Sequence, residues 1–348
     1  MEIFLTILSS LLIAFTLLPL IKNDYWIFRI FDYPRLQKFF LSCLCLVLLG
    51  CCFDSSNMLR CILTIAMLLN VVYLLFIIAP FTPIGKKQVL RVASQIEGQH
   101  LSLMIANVYQ DNTNYLGCLK EISKVTPDVI LLLETDEKWE KELRQLDADY
   151  PFTVKVPIGN TYGMLLYSKL ELSGAEVKYL VEKDVPSIHT KMILPGGKEI
   201  QFYAVHPTPP VPSENPRATE RDKELLLVAD LAKASALPVV VAGDLNDVAW
   251  SHTTELFLKM SGLLDPRRGR GFFNSFHAHY PFLRFPLDHA FISTEFKLIS
   301  IRRLSNFNSD HFPIFIEIQF EEKAAAQQDS MQPDSGEVQE AQEKKAKI

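Results

Sequence analysis

From Glu2 to Ile21 the chain is almost wholly apolar, and from Cys61 to Phe81 it carries no charge, while a third uncharged run from Phe39 to Phe53 is shorter. A helix of about 20 residues spans a hydrocarbon core of about 30 Å, so the first and last of these runs are expected to cross a membrane. The middle run is marginal in length and is expected to cross by local adaptation of the bilayer. The first run lacks a basic start and is followed by two more, which favours an anchor over a cleaved signal peptide. Between the first two runs, Tyr25, Trp26, Phe28, Phe31 and Tyr33 alternate with Arg29, Arg35 and Lys38, the composition of a segment at headgroup level. Residues 1–84 are therefore read as a membrane region with two or three transmembrane helices.

Past Pro80, Pro83 and Gly85 the pattern changes. Residues 85–100 read as a polar linker. Short apolar runs then recur at Leu101 to Ala106, Val129 to Leu133, Met164 to Tyr167, Phe202 to Val205, Val239 to Ala242, Ala290 to Ile292 and Ile314 to Ile318. Their length and composition suit buried strands. Helical patterns at Tyr115 to Val125, Glu137 to Leu146 and Arg217 to Ala236 lie between them, the last bounded by Pro216 and Pro238. The mixture predicts one α/β unit with packed sheets over residues 101–320. From Glu321 the chain is rich in Ala, Gln, Glu and Lys, and residues 321–348 are expected to be a disordered tail.

The net charge of −5 is unevenly spread. The stretch to Arg91 has eight Lys/Arg against four Asp/Glu, and the tail has four against seven, leaving about −6 for the middle. An acidic central unit gains little from counterion release on a polyanion, which argues against tight nonspecific nucleic-acid binding. Lys22, Arg29, Arg35, Lys38, Lys86, Lys87 and Arg91 share one side if all three runs span, with Arg60 opposite, so the positive-inside bias predicts a cytoplasmic C-terminal unit. Of six cysteines only Cys118 lies outside the apolar region, so no disulfide framework is available beyond it. Cys51 and Cys52 are read as apolar packing residues, with acylation the alternative.

Several strand-like runs end on a residue able to bind a metal or move a proton: Asn107, Glu134, His206, and Asp244 with Asn246. Singly, each is the ordinary start of a solvated loop. Together they would line one edge of packed sheets with carboxylate, amide and imidazole, where clefts commonly form. Pro286-Leu287-Asp288-His289 and Ser309-Asp310-His311 each add an acid and a histidine.

In this order, Asn-Val-Tyr, Leu-Glu-Thr, His-Pro, Gly243-Asp244-Leu245-Asn246, Leu-Asp-His and Ser309-Asp310-His311 resemble the endonuclease/exonuclease/phosphatase (DNase I-like) superfamily over about Leu101 to Phe320. The likeness is closest to bacterial members with a hydrophobic N-terminal region. It implies a four-layer α/β sandwich and a divalent-metal-dependent phosphoesterase of multi-pass type in the bacterial inner membrane. It further implies Glu134 as the leading ligand of Mg²⁺, or of Mn²⁺ in its place, helped by Asn107 and Asp310 directly or through water. Such oxygen donors suit a hard cation.

Asp244 is then the base or water positioner, with Asn246 orienting water or phosphate. His206 and His311 donate to the nonbridging oxygens, and Asp288 fixes the His311 tautomer. His289, directly after Asp288, is expected to point away and be structural. Arg217, Arg221 and Arg284 are candidate substrate contacts. Tyr162 and Gly163 precede a strand where some family members place an active-site tyrosine. His252, His277 and His279 carry no motif and are assigned to surface or packing. The motifs name the reaction and not the substrate. Membrane attachment and the acidic unit favour a lipid headgroup or small molecule over long nucleic acid. A membrane-bound nuclease and a noncatalytic scaffold are the alternatives, and no protein partner is inferable.

Overall fold

In the structure, a computed structural model that describes residues 2–51 and 56–347, the apolar runs form helices α1 (Glu2–Leu17), α3 (Arg35–Cys51) and α4 (Met58–Ile78), with a short α2 (Trp26–Arg29) between the first two. Leu5, Leu12, Cys45, Leu49, Leu63 and Met67 fill the seam between them. Glu2 pairs with Arg60, so α1 and α4 begin at the same end. Lys38 Nζ donates to the Phe15 carbonyl at 2.8 Å, so α3 begins where α1 finishes. The three helices thus run up, down and up.

Two segments, Glu2–Leu20 and Met58–Phe81, are long and apolar enough to cross a membrane. The middle run qualifies only if Trp26–Asp32 and Arg35–Cys51, bent by 69°, count as one span. At about 1.5 Å per residue α3 alone falls short of the ~30 Å core. The end of the Phe39 to Phe53 run, with Cys52, lies outside the described residues.

Beyond the helices, the order is β1 (His100–Asn107), α5 (Tyr115–Val125), β2 (Val129–Leu133), α6 (Glu137–Glu142), β3 (Phe152–Val156), β4 (Met164–Ser168), β5 (Leu172–Lys178), β6 (Ser187–Ile193), β7 (Glu199–Ala204), α7 (Thr219–Ala234), β8 (Val239–Asp244), α8 (His252–Ser261), β9 (Asp288–Ile292), β10 (Phe296–Arg303), β11 (Ile314–Phe320) and α9 (Ser335–Ala346). One sheet has the order β10-β11-β1-β2-β4-β3 and the other β5-β6-β7-β8-β9. Leu103, Ile105, Leu131, Leu166, Phe202, Val240 and Ile292 belong to the core shared by the two sheets. On the outer face of the first sheet, Met104, Ile130 and Tyr167 pack on Cys118, Ile122 and Trp139 of α5 and α6. On that of the second, Tyr203, Val241 and Phe291 pack on Leu225, Val228 and Phe257 of α7 and α8. Strands covered on both faces explain the continuous apolar runs. These are the four layers expected.

Each sheet holds one adjacent parallel pair that sets the site. In the first, β1 and β2 run parallel, so Asn107 and the residue after Leu133 emerge at one edge. In the second, β7 and β8 run parallel and β9 is antiparallel to β8, with Asp244 opposite Asp288. The ends of β1, β2, β7 and β8 and the start of β9 therefore meet at one rim.

The linker is more than a spacer. Val89 is buried in the core, and Leu90 and Val92 exchange backbone hydrogen bonds with Leu298 on edge strand β10. That pairing covers an otherwise open edge. The expected disordered tail is corrected outright by α9. Asp334 and Glu337 form a capping box at its start, and Ala341 packs against Leu226 and Leu256. Lys344 is buried, with Nζ donating to Asp222 Oδ2 at 2.6 Å. Composition undervalued the segment because it docks through a narrow apolar stripe and complementary charge.

Candidate active site

Two glycines let the strands close on the rim. A Cβ at Gly243 would lie 1.8 Å from the Val205 carbonyl oxygen, and one at Gly163 would lie 1.8 Å from that of Thr135. Gly243 also has φ +150°. Only hydrogen fits at either place, so β8 can lie against the end of β7 and β4 against the end of β2. Just past this packed edge, Glu134 and Asn246 adopt left-handed φ of 59° and 50°.

Asn107 joins the sheets. Its Nδ2 donates to Glu134 Oε1 at 2.7 Å and to Asp244 Oδ2 at 3.1 Å. Ser309 Oγ donates to the Asn107 carbonyl at 2.8 Å and accepts from the His311 backbone N–H at 2.9 Å, tying the Ser-Asp-His turn to β1. His311 lies between two acids: Nδ1 donates to Asp288 Oδ2 at 2.7 Å, and Nε2 is 3.6 Å from Asp244 Oδ2. The ligating atoms of Asp244, Asp288 and His311 lie within 4.8 Å of one another.

Burial alone would discharge this imidazole, but Asp288 and Asp244 outweigh it and raise His311 to about 10. His311 is thus a cation at neutral pH. Burial would also raise Asp244, yet the His311 charge, with the Asn246 N–H and the Asn107 amide, keeps it below the usual carboxylate range. Asp288 is pushed up, by burial first and by the Asp244 charge, against the pull of His311. His206 behaves oppositely to His311. Burial lowers it to about 4, so it is neutral. Its ring centroid is 5.3 Å from that of Tyr162, whose hydroxyl donates to Glu214. The two histidines, expected to act alike, differ in charge.

The other acids form an oxygen-only corner. Burial lifts Glu134 to about 7, and the nearby Asp310 charge adds to the rise. Asp310 Oδ1 is buried without a partner. A carboxylate held towards protonation by burial and a second carboxylate oxygen with no donor are oxygen donors that suit a hard divalent cation, while the Asn107 amide, whose Oδ1 accepts from the Tyr109 N–H at 3.0 Å, turns its Nδ2 to Glu134 and so orients it. The residues fit such an ion. The Asp244, Asp288 and His311 group fits one less well, because an imidazolium has no lone pair to offer.

Asn246 Nδ2 donates to the Pro207 carbonyl at 2.9 Å, and its backbone N–H donates to Asp244 Oδ1 at 2.9 Å. Its amide therefore binds the His206-Pro207 segment to the loop after β8. His289 is structural, as expected: Nε2 donates to the Asp247 carbonyl at 2.9 Å and Nδ1 accepts from Arg267 at 2.6 Å. Burial and the Arg267 charge push it down to about 3.

The arginines are redistributed. Arg221 is buried behind the loop, where Nη1 donates to the Asn246 carbonyl at 2.9 Å and Nη2 lies 2.9 Å from Asp222 and 3.3 Å from Asp247. This corrects its expected role, since a guanidinium enclosed by two acids cannot reach a substrate. Arg217 is turned away, its guanidinium 5.9 Å from the centre of the Tyr25 ring. Arg284 stays near the rim, with Nη2 on the Ala278 carbonyl at 3.2 Å. His252 pairs on the surface with Glu340 at 2.7 Å. The His277 ring is 4.6 Å from that of Tyr280 and 5.5 Å from that of His279.

One contributor was invisible in the sequence. Tyr33, between α2 and α3, donates its hydroxyl to the Asn246 carbonyl at 2.7 Å, beside Arg221. Its place in an aromatic-basic segment suggests only an interfacial role. A cavity of 640 Å³ between this segment, α8 and α9 has charged walls, among them Asp24, Arg29, Glu340 and Lys344, and shares none of the rim residues.

A two-sheet sandwich with acid, amide and imidazole groups gathered on one edge is the framework of a phosphoester-cleaving hydrolase. Residues 104–311, more than half of the chain, match the model of the Endonuclease/Exonuclease/phosphatase family. The chain belongs to that family and is a phosphoester-hydrolysing enzyme of a class that generally depends on a divalent metal. Among solved structures, an endonuclease/exonuclease/phosphatase from Beutenbergia cavernae superposes with TM-score 0.52 at 16% identity, over 64% of this chain and 72% of that one. D. rerio TDP2 complexed with single strand DNA product gives TM-score 0.52 at 15% identity, over 63% and 99%. The human Nocturnin catalytic domain with bound sulfate anion gives 0.51 at 16%, over 65% and 96%. No curated protein matches the chain.

Proposed function

We propose that this protein is a membrane-anchored, Mg²⁺-dependent phosphoesterase that uses an activated water on a phosphodiester or phosphomonoester of a lipid headgroup or small molecule. The observation that carries the reading is the division of the rim into an oxygen-only corner and an acid–imidazolium group, joined by Asn107. Glu134 and Asp310 would hold the cation, and Asn107, expected as a further ligand, instead positions Glu134 through its Nδ2. When bound, it neutralises the phosphate oxygens and the charge that develops on them.

Asp244, kept ionised beside His311, takes the proton of the attacking water as its oxygen bonds to phosphorus and the ester P–O bond breaks, the leaving oxygen taking a proton from solvent to depart as the alcohol. The His311 cation donates to a nonbridging oxygen, with Asp288 fixing its ring. Neutral His206 adds a second donor without adding charge. Asn246 holds Asp244 in place through its backbone N–H. Support for the anchor comes from the two helices of spanning length. The cytoplasmic placement rests on the basic residues that flank the catalytic end of the bundle.

The test is hydrolysis of bis-p-nitrophenyl phosphate by the full chain in detergent, with Mg²⁺ and after chelation. Asp244→Ala and Glu134→Ala should each lose about 10²–10⁴-fold in kcat without unfolding. Wild-type turnover that survives chelation or both substitutions would refute the reading. A panel of lipids, nucleotides and oligonucleotides then fixes the substrate, and preferred turnover of oligonucleotides would replace the lipid reading with the nuclease one.

A further inference from the structure

Between Asp265 and Asp288 the sequence contains no acidic residue, in a domain that is otherwise net acidic. Within this stretch, Phe276 to Phe285 fold into a hairpin. Phe276 and Phe285 exchange backbone hydrogen bonds at its base, and the His277 N–H donates to the Leu283 carbonyl at 3.0 Å. The base belongs to the active-site rim. The Phe276 ring is 5.0 Å from that of His311, and the Ala278 N–H donates to the Asp310 carbonyl at 2.6 Å.

The tip reaches outward. Tyr280, Phe282 and Leu283 are 58%, 87% and 53% exposed, with Pro281 between them. Gln37, in the first turn of α3, donates Nε2 to the Phe282 carbonyl at 2.9 Å. Three and four residues further on, along the same helix face, Phe40 and Leu41 are also exposed. The apolar tip is therefore continuous with the outward surface of α3 at the end where the helix meets the catalytic domain. Aromatic side chains with flanking His and Arg and no acid are the composition of a bilayer interface. Water would leave this patch uncovered.

We propose that the 276–285 hairpin dips its tip into the headgroup region of the bilayer, so that the catalytic rim opens at the membrane surface and takes phosphoesters presented by lipids. The contact rests on the anchored reading above, and the lipid substrate rests also on the catalytic one. A hairpin whose base touches His311 and Asp310 while its tip enters the interface brings headgroup phosphates to the site without lifting a lipid out of the bilayer.

Two measurements on the full chain in nanodiscs of phosphatidylethanolamine and phosphatidylglycerol test this. Phe282→Trp should acquire tryptophan emission quenched when the lipids carry brominated acyl chains, beyond the quenching of the wild-type tryptophans. Quenching no greater than wild type would overturn the contact. The second measurement is phosphate-ester release from the nanodisc lipids, divided by bis-p-nitrophenyl phosphate turnover of the same sample. Phe282→Ser with Leu283→Ser should lower this ratio at least ~10-fold. An unchanged ratio, or no lipid turnover by protein active on the soluble diester, would overturn the lipid-surface role. Inactivity on both substrates with quenching intact would instead refute the catalytic reading and uphold the contact.

Discussion

Asp244 occupies its place because the backbone is fixed on both sides of it, at Gly243 by close packing and at Asn246 by two donors to its carbonyl. Gly243→Ala sets a Cβ 1.8 Å from a backbone oxygen of the neighbouring strand, and neither strand can retreat without opening the core. Overpacking usually costs about 1–3 kcal/mol, and the strained φ adds to that, so a thermal melt should show loss of at least ~3 kcal/mol or no folded protein. On the far side, the Asn246 carbonyl receives one donor from Tyr33 and one from Arg221. Tyr33→Phe removes a single buried hydrogen bond of about 1 kcal/mol while leaving Arg221. The expected result is a kcat lowered about 5-fold with KM unchanged, since the loop shifts while the substrate pocket stays; a change in KM alone would show that Tyr33 does not position the loop. The acids, amide and histidines of the rim were legible because each ends a buried run. Tyr33 and Arg221 were not, because nothing local links them to a loop more than twenty residues further along the chain.

At the scale of elements, the strands that could be read from sequence were those buried on both faces. The reading of Val129 to Leu133 coincides with β2, and that of Tyr115 to Val125 with α5. Strands β3, β5 and β10 escaped as edges of their sheets: β5 is largely exposed, β3 only partly covered and β10 exposed at its end, while interior β6 escaped because Ser187, His189, Thr190 and Lys191 break its apolar run although most of it is buried. The tail escaped for an electrostatic reason, and its docking carries a prediction. Burial would raise the Asp222 carboxyl, but Lys344, Arg221 and Arg29 hold it well below the usual range. A group depressed on folding contributes stability that is complete above its unfolded pKa of about 3.9 and fades as pH falls below that. Lys344→Ala should destabilise the protein by less than the ~3–5 kcal/mol of a wholly orphaned charge, because Arg221 remains, and should flatten the fall in melting temperature below about pH 4. Equal acid slopes in wild type and variant would mean that α9 does not stabilise the Asp222 charge.

For the whole molecule, the sequence suggests an anchor, a linker and a separate enzyme, and the packing argues for one body. Phe81, from the end of the third apolar run, lies in one cluster with Val248, Trp250, Phe285 and Leu287 of the catalytic domain. Trp250 Nε1 donates to the Asp32 carbonyl at 2.8 Å. Backbone bonds join Trp26 to Pro216, Ala218 to Asp24 and Gly269 to Pro80 at 2.9, 2.7 and 2.7 Å. These partners stand nearly two hundred residues apart, so no periodicity could announce them. A flexible tether would let the enzyme be cut away at no cost. Here cutting would bare an aromatic cluster that includes the Phe285 base of the rim hairpin and strip Tyr33 from the Asn246 carbonyl. With a protease site built into residues 85–88 of the full chain, the two fragments should therefore remain together in detergent after cleavage and co-elute on size exclusion. Separation at mild detergent concentration, with full activity in the released fragment, would restore the tether.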